Sequence, residues 1–205
     1  MILGGDGYLG WPTAMHLSSH GHDVMIIDNL MRRTICEELD ISPLYTVPLP
    51  HDRAKKWAIE SGRQINVRIG DLCDWDFVSS EFESFLPESI IHFAEQPSAP
   101  YSMMNRRTAA FTLKNNLMAT ANVIFAVKEI IPNAHIIKLG TMGEYGTPDI
   151  DIEEGWIDIK HKGRQDRFLY PRQAGSLYHT TKIMDTDLLW FYVRMWELRV
   201  TDLMQ

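Results

Sequence analysis

Met1-Ile2-Leu3-Gly4-Gly5-Asp6-Gly7-Tyr8-Leu9-Gly10 opens the chain, and its reading decides the fold. A short apolar run ends in a glycine cluster, and a helical pattern from about Leu9 to His20 starts before the cluster is over. Gly4, Gly7 and Gly10 carry the spacing G-x-x-G-x-x-G. That spacing allows a tight strand-to-helix turn, close approach of the backbone to a pyrophosphate, and close packing of helix on strand. Phosphates placed there meet the free N–H groups of a helix N-terminus, which favour anions. The spacing alone is weak evidence, and its context strengthens it. Val24-Met25-Ile26-Ile27 reads as the next strand, and Asp28 closes it. A carboxylate at that point accepts hydrogen bonds from ribose hydroxyls and repels a 2′-phosphate, so the expected cofactor is NAD rather than NADP. Arg32 and Arg33 follow closely; an arginine there either accepts a 2′-phosphate, stacks on adenine or pairs with pyrophosphate.

Outward from this start, short apolar runs keep alternating with helical stretches. The runs are Ile65–Ile69, Ser89–Phe93 and His135–Leu139; the helical segments are about Asp52–Ser61, Asp76–Phe85 and Asn105–Ile131. Strands alternating with helices imply βαβ units, so the fold class is α/β: a doubly wound parallel sheet of the Rossmann type. Two segments break the rhythm. Met31–His51, with Pro43, Pro48 and Pro50, reads as an inserted loop with a short helix. Asp149–Gln173 holds Ile150-Asp151-Ile152 and Trp156-Ile157-Asp158-Ile159, alternating with period two around Glu154-Gly155, which reads as a small β-hairpin on the sheet's edge. Its basic stretch Lys160–Arg164 reads as a solvated turn or an anion contact. The chain is read as one NAD-binding catalytic domain over residues 1–205. Arg199–Leu203 begins another strand two residues before the last residue, so a longer protein with a further substrate domain is expected.

The composition is that of an ordinary globular protein, 45% apolar and 23% charged. Twenty basic against 27 acidic residues leave a net charge of −7, which argues against a nucleic-acid partner. No apolar run nears the roughly 20 residues that span a bilayer, so no membrane partner is expected. Cys36 and Cys73 fit neither a metal spacing nor a disulfide scaffold, which points to a reducing, cytoplasmic setting and to no metal.

Chemistry enters near the other end. Tyr178-His179-Thr180-Thr181-Lys182 is Y-x-x-x-K, and residues four apart share a helix face. A lysine ammonium beside the phenol is expected to lower its pKa and make it a usable acid/base. Thr141, following the run His135–Leu139, belongs at the same sheet edge. Asp71, with Leu72, either meets the adenine edge or caps the next helix.

Taken together, the glycine motif, Asp28, Thr141 and the Tyr178/Lys182 pair resemble the extended short-chain dehydrogenase/reductase superfamily. Within it, Gly4–Trp11, Asp28-Asn29-Leu30 with Arg32-Arg33, Glu95-Gln96 with Ser98–Met103, and Thr141–Pro148 are similar to the UDP-sulfoquinovose synthase family. So are Asp151–Gly155 and Tyr178-His179. Thr141-Met142-Gly143 stands where sugar 4,6-dehydratases carry Thr-Asp-Glu, with a carboxylate only at Glu144. Pro97 departs from the arginine of plant-type members.

The resemblance implies conversion of UDP-glucose and sulfite into UDP-sulfoquinovose, with NAD recycled. It also implies a homodimer built on the apolar faces of Thr112–Val127 and Leu188–Trp196. Tyr178 would take the C4 hydroxyl proton, Thr141 would hydrogen-bond the same oxygen, and Lys182 would support the phenolate. His179 and Glu144 are the candidate acid/bases for C5 and C6. Cofactor contacts are expected from Gly4, Asp6, Gly7, Tyr8, Leu9 and Gly10, from Asp28, Asn29, Arg32 and Arg33, and from Asp71 and Leu72. Ala94, Glu95, Asn116, Tyr178 and Lys182 complete that set. Substrate contacts are expected from Gln96, Ser98, Thr141, Met142, Gln173 and Tyr178. The alternatives are a nucleotide-sugar 4-epimerase or 4,6-dehydratase, and a dinucleotide-binding module without catalysis.

Overall fold

The computed structural model describes residues 1–153 and 155–205. The chain starts at the middle of its sheet. Strand β1 (Ile2–Leu3) leads into helix α1 (Gly10–Ser19), β2 (Val24–Asp28), α2 (Met31–Glu38), α3 (Pro50–Ser61) and β3 (Ile65–Ile69). It then crosses back through α4 (Trp75–Phe85) to β4 (Ser89–His92), α5 (Ala99–Ser102), α6 (Arg106–Ile130) and β5 (His135–Leu139). A one-turn 3-10 segment (Met142–Glu144), the hairpin strands β6 (Trp156–His161) and β7 (Arg164–Leu169), α7 (Leu177–Trp196) and β8 (Arg199–Leu203) follow.

The six-stranded sheet has the order β3-β2-β1-β4-β5-β8, and its strand pairs are parallel. This is the doubly wound parallel sheet expected from the alternation. β1 and β4 are neighbours whose onward connections run to opposite sides, and that switch point opens a crevice at the carboxyl ends of the strands.

Period-two geometry explains why the strands are apolar on both faces. Leu3, Met25 and Ile27 point into a layer with Val78 and Phe82 of α4, Ile124 of α6 and Leu189 of α7. Ile2, Val24 and Ile26 point the other way, onto Trp11 and Ala14 of α1. Helix starts are set by side-chain caps. Asp74 accepts from Asp76 and Phe77, Asn105 forms a capping box with Thr108, and Ser176 opens α7. Among the described residues no helix is long and apolar enough to cross a membrane.

Two expectations need correction. The hairpin pairs Trp156–His161 with Arg164–Leu169, turning at Lys162-Gly163, not Ile150–Ile152 with Trp156–Ile159. Lys162 and Gly163 both have positive φ (48° and 76°), the backbone of a two-residue hairpin turn. Arg164–Leu169 has almost no apolar alternation, so periodicity hides it; Glu154 of the expected turn lies outside the described residues. Nor does the hairpin extend the sheet's edge. It is a separate two-stranded sheet, resting Trp156 on Trp190 of α7 with ring centroids 5.5 Å apart. The inserted loop with a short helix expected over Met31–His51 is present as the two-turn helix α2 and an exposed strap that ends at Leu49, with Pro50 and His51 already in α3.

Candidate active site

A cleft runs along the carboxyl ends of β1, β2, β4 and β5, from Asp28 to Tyr178. The glycines explain its floor. A Cβ on Gly10 would lie 2.1 Å from the Gly4 carbonyl oxygen, and one on Gly4 (φ +83°) would lie 2.8 Å from the Ala94 nitrogen. Only glycine lets α1 start this close to β1 and β4. Helix α1 has no side-chain cap, so its first N–H groups are left to a ligand. Asp6, Tyr8, Leu9, Asn29, Arg32, Leu72 and Ala94 also line the cleft.

Asp28 accepts hydrogen bonds from the Asp6 amide (2.9 Å) and the Leu30 amide (2.7 Å). Burial raises its pKa, and the two amides oppose that shift. Asp71 also lines the cleft, accepting from the Cys73 amide, while the cap of α4 is Asp74. Arg33 is committed elsewhere: its guanidinium grips Asp6 at 2.7 and 2.8 Å and binds the Val47 and Pro48 carbonyls. Arg53 joins it on Asp6, which leaves Arg32 as the arginine of that pair lining the cleft. An uncapped helix end, a cradle closed to any Cβ, and an acidic group at the end of β2 fit a dinucleotide.

At the opposite end, Tyr178 and Lys182 occupy one face of α7, and both line the cleft. The Tyr178 amide donates to Ser102 Oγ (3.1 Å), which ties the start of α7 to α5. Lys182 Nζ meets Glu95 Oε1 at 2.5 Å and also donates to the Leu139 carbonyl. This corrects one expectation. The Tyr178 phenol is pushed well above its ordinary pKa, by burial first and then by the charges on Glu95, Asp185 and Glu144. The positive charge meant to lower it is matched by Glu95.

Thr141 follows β5 and accepts from the Gly143 amide at 3.2 Å. His179 lies against the same turn: a Cβ on Gly143 would be 2.5 Å from its Nε2. Its Nδ1 is 2.9 Å from Ser176 Oγ, leaving Nε2 beside the Thr141–Gly143 turn. Glu144, on that turn, faces inward. It is wholly buried between Lys138 Nζ (3.4 Å) and Arg172 (2.8 Å), within 3.4 Å of the Thr186 hydroxyl.

The remaining candidates divide. Met142 is exposed beside the turn, and Gln173 packs its carbonyl against Gly146. Gln96 is buried behind the cleft wall, its amide group spent on Ser98 and Thr112, and Ser98 caps α5. Asn116 is buried too, accepting from the Gln96 amide and donating to Thr181 rather than facing the cleft. Sequence reasoning missed Lys138 and Arg172, which brace Glu144, and the pairing of Glu95 with Lys182. No spacing signals the contacts of Arg172 with Glu144 and of Glu95 with Lys182, 28 and 87 residues apart, and Lys138 reaches Glu144 only because the chain turns back after β5.

Residues 1–204 match the family model described as "NAD dependent epimerase/dehydratase family". The chain belongs to the NAD dependent epimerase/dehydratase family. Similar to this family member are the UDP-sulfoquinovose synthases of Spinacia oleracea (chloroplastic) and Sulfolobus acidocaldarius. They are 48% and 43% identical to it over its whole length, with 42% and 52% of their own lengths covered. It thus spans about half the length of these curated relatives. The fold is also that of a UDP-glucose 4-epimerase from Brucella ovis solved in complex with NAD. There the TM-score is 0.70 and the identity 20%, over 99% of this chain and 50% of that one.

Proposed function

We propose that this family member forms the NAD-binding and catalytic part of an enzyme converting UDP-glucose and sulfite to UDP-sulfoquinovose. The observation that carries the reading is the arrangement around the Thr141 turn. The Tyr178/Lys182 pair faces the cleft, the His179 imidazole lies against the turn, and Glu144 is locked between two cations. The likeness to two UDP-sulfoquinovose synthases supports the same reading.

Gly4–Gly10 and Asp28 would hold NAD, which would supply the hydride acceptor for C4 and the hydride for its re-reduction. Tyr178 takes the proton of the C4 hydroxyl, and Thr141 holds the same oxygen through its hydroxyl. Oxidation at C4 makes the C5 proton acidic. His179, with Nε2 beside the Thr141–Gly143 turn, is placed to remove that proton and to pass it to the C6 hydroxyl, which leaves as water. The C5=C6 bond so formed is conjugated with the C4 ketone. Sulfite enters as hydrogen sulfite: its sulfur lone pair bonds to C6 as the C5=C6 electrons shift toward the C4 oxygen, and the proton it carried passes through His179 to C5. Tyr178 finally returns its proton to the C4 oxygen as the hydride comes back.

A homodimer belongs to this reading. Phe111 and Met118 on α6 and Met184, Phe191 and Met195 on α7 are exposed apolar side chains on adjacent helices, a face suited to a four-helix contact. A cytoplasmic setting fits the two free thiols.

The test is to incubate the full-length polypeptide with UDP-glucose, NAD and sulfite and to follow the nucleotide sugar by mass spectrometry. The expected product gains a sulfonate, and Tyr178→Phe abolishes it. UDP-galactose at unchanged mass would make the protein an epimerase. Loss of water without sulfonate would make it a dehydratase. No change in a folded, NAD-loaded protein would leave only a dinucleotide-binding role.

A further inference from the structure

Asp6 lies inside the glycine loop, yet its carboxylate is spent on the protein itself. Its amide donates to Asp28 at 2.9 Å, so its backbone rests on the acidic group that ends β2. Its side chain is largely buried and accepts from two guanidiniums. Arg33 grips it through Nε at 2.7 Å and through Nη2 at 2.8 Å, a bidentate pair. Arg53 reaches the same carboxylate from α3. Arg33 also donates to the Val47 and Pro48 carbonyls, so nearly all of its N–H groups are used. Arg53 packs 4.5 Å above the Trp11 ring, which fixes it against α1.

This knot stands where a phosphate on the ribose would arrive. Asp28 repels a 2′-phosphate, but that repulsion is offset wherever a guanidinium is free to turn toward the phosphate. Arg53 is pinned over Trp11, and Arg32 is exposed at the cleft. Arg33 is the one whose position depends on Asp6. It sits in the first turn of α2, near enough to feel the Asp28 charge, and 27% of its side chain is exposed. Without the Asp6 carboxylate, its fork is an open anion acceptor beside Asp28.

We propose that Asp6 makes the dinucleotide site selective for NAD over NADP by holding Arg33 away from the ribose 2′ position. This rests on Asp28 being the group that accepts the ribose hydroxyls. Discrimination then has two parts: Asp28 repels the extra phosphate, and Asp6 withholds the cation that would neutralise it. Asp6 is a positioning residue, since it acts through Arg33 and touches no reacting atom.

The test equilibrates the full-length protein with a mixture of NAD and NADP, removes free nucleotide, and quantifies the bound dinucleotides by chromatography. The wild type is expected to retain NAD. In Asp6→Ala the bound ratio of NADP to NAD should rise about tenfold, the worth of a charge-assisted contact to phosphate. Adding Arg33→Gln to that variant should return the ratio to its wild-type value, while adding Arg32→Gln should leave the rise in place. A folded Asp6→Ala with the wild-type ratio overturns the proposal, and so does a rise that survives Arg33→Gln. A structural role alone would weaken both dinucleotides equally and leave the ratio unmoved.

If Asp6→Ala does not fold, Arg33→Gln by itself decides. With Arg33 withheld by Asp6, its loss must leave the ratio unchanged, and a fall in the NADP share overturns the proposal. Asp28→Asn separates this inference from the placement of the ribose. A raised ratio in Asp28→Asn upholds the placement, so an unresponsive Asp6→Ala would then remove the role of Asp6 alone. An unchanged ratio in Asp28→Asn would refute the placement and the proposal together.

Discussion

At the scale of single residues, Glu144 shows how much a side chain's surroundings decide. Removing one partner from a buried ionic cluster leaves the others uncompensated. Glu144→Gln takes away the carboxylate that Lys138 and Arg172 share and leaves them only Asp202 and Asp187, so we expect a loss of about 3 kcal/mol in a urea-unfolding series. A stable Glu144→Gln protein with impaired turnover would instead make Glu144 an acid/base. His92 supplies a pH prediction. Burial first, and then the charges on Lys182 and Lys138, depress its pKa from 6.5 to about 3. Below pH 6.5 the unfolded chain takes up a proton that folded His92 refuses until pH is near 3. Stability present above pH 6.5 is therefore lost as pH falls through that window. The urea midpoint should drop on acidification, and His92→Asn should flatten the dependence.

Among the elements, the junction of β1 and α1 carries the sharpest steric demand. Alanine at Gly10 places a Cβ 2.1 Å from the Gly4 carbonyl, and backbone on both sides leaves no room to yield. We expect Gly10→Ala to cost about 1–3 kcal/mol in thermal unfolding. NAD affinity, followed by titration, should fall at least about tenfold, since the helix end that meets the phosphates must shift. Unchanged affinity would remove the glycine loop from the cofactor site. The hairpin is the opposite case. It touches the sheet's surroundings through Trp156 on Trp190 and through Gly155 on the Tyr145 hydroxyl, and most of its strand residues are exposed.

For the molecule as a whole, the open question is the face formed by α6 and α7. Phe125, Tyr192 and Trp196 stack there, with Met118, Phe191 and Met195 exposed around them. Sedimentation of the full-length protein should give a dimer, and Phe191→Arg with Met195→Arg should give monomers that keep the fold. A monomeric wild type would sink the dimer reading.

Sequence alone determined the architecture, because that rests on short-range rules. Apolar runs of strand length between helical periods specify a doubly wound sheet, and G-x-x-G-x-x-G followed by Asp28 points to the part of its crevice proposed for phosphate and ribose. Tyr178 and Lys182 were legible for the same reason, since four residues make one helical turn. Their electrostatics were not. Glu95 comes within 2.5 Å of Lys182 across 87 positions of chain, and Lys138 reaches the Lys182 carbonyl across 44. Neither separation has a period. The hairpin's second strand was hidden as well, because Arg164–Leu169 is mostly exposed and has no buried face to impose alternation. Tertiary structure alone decided which carboxylate is braced and which lysine is neutralised. Those are properties of three-dimensional proximity in a dry interior, where a charge is worth far more than any local propensity.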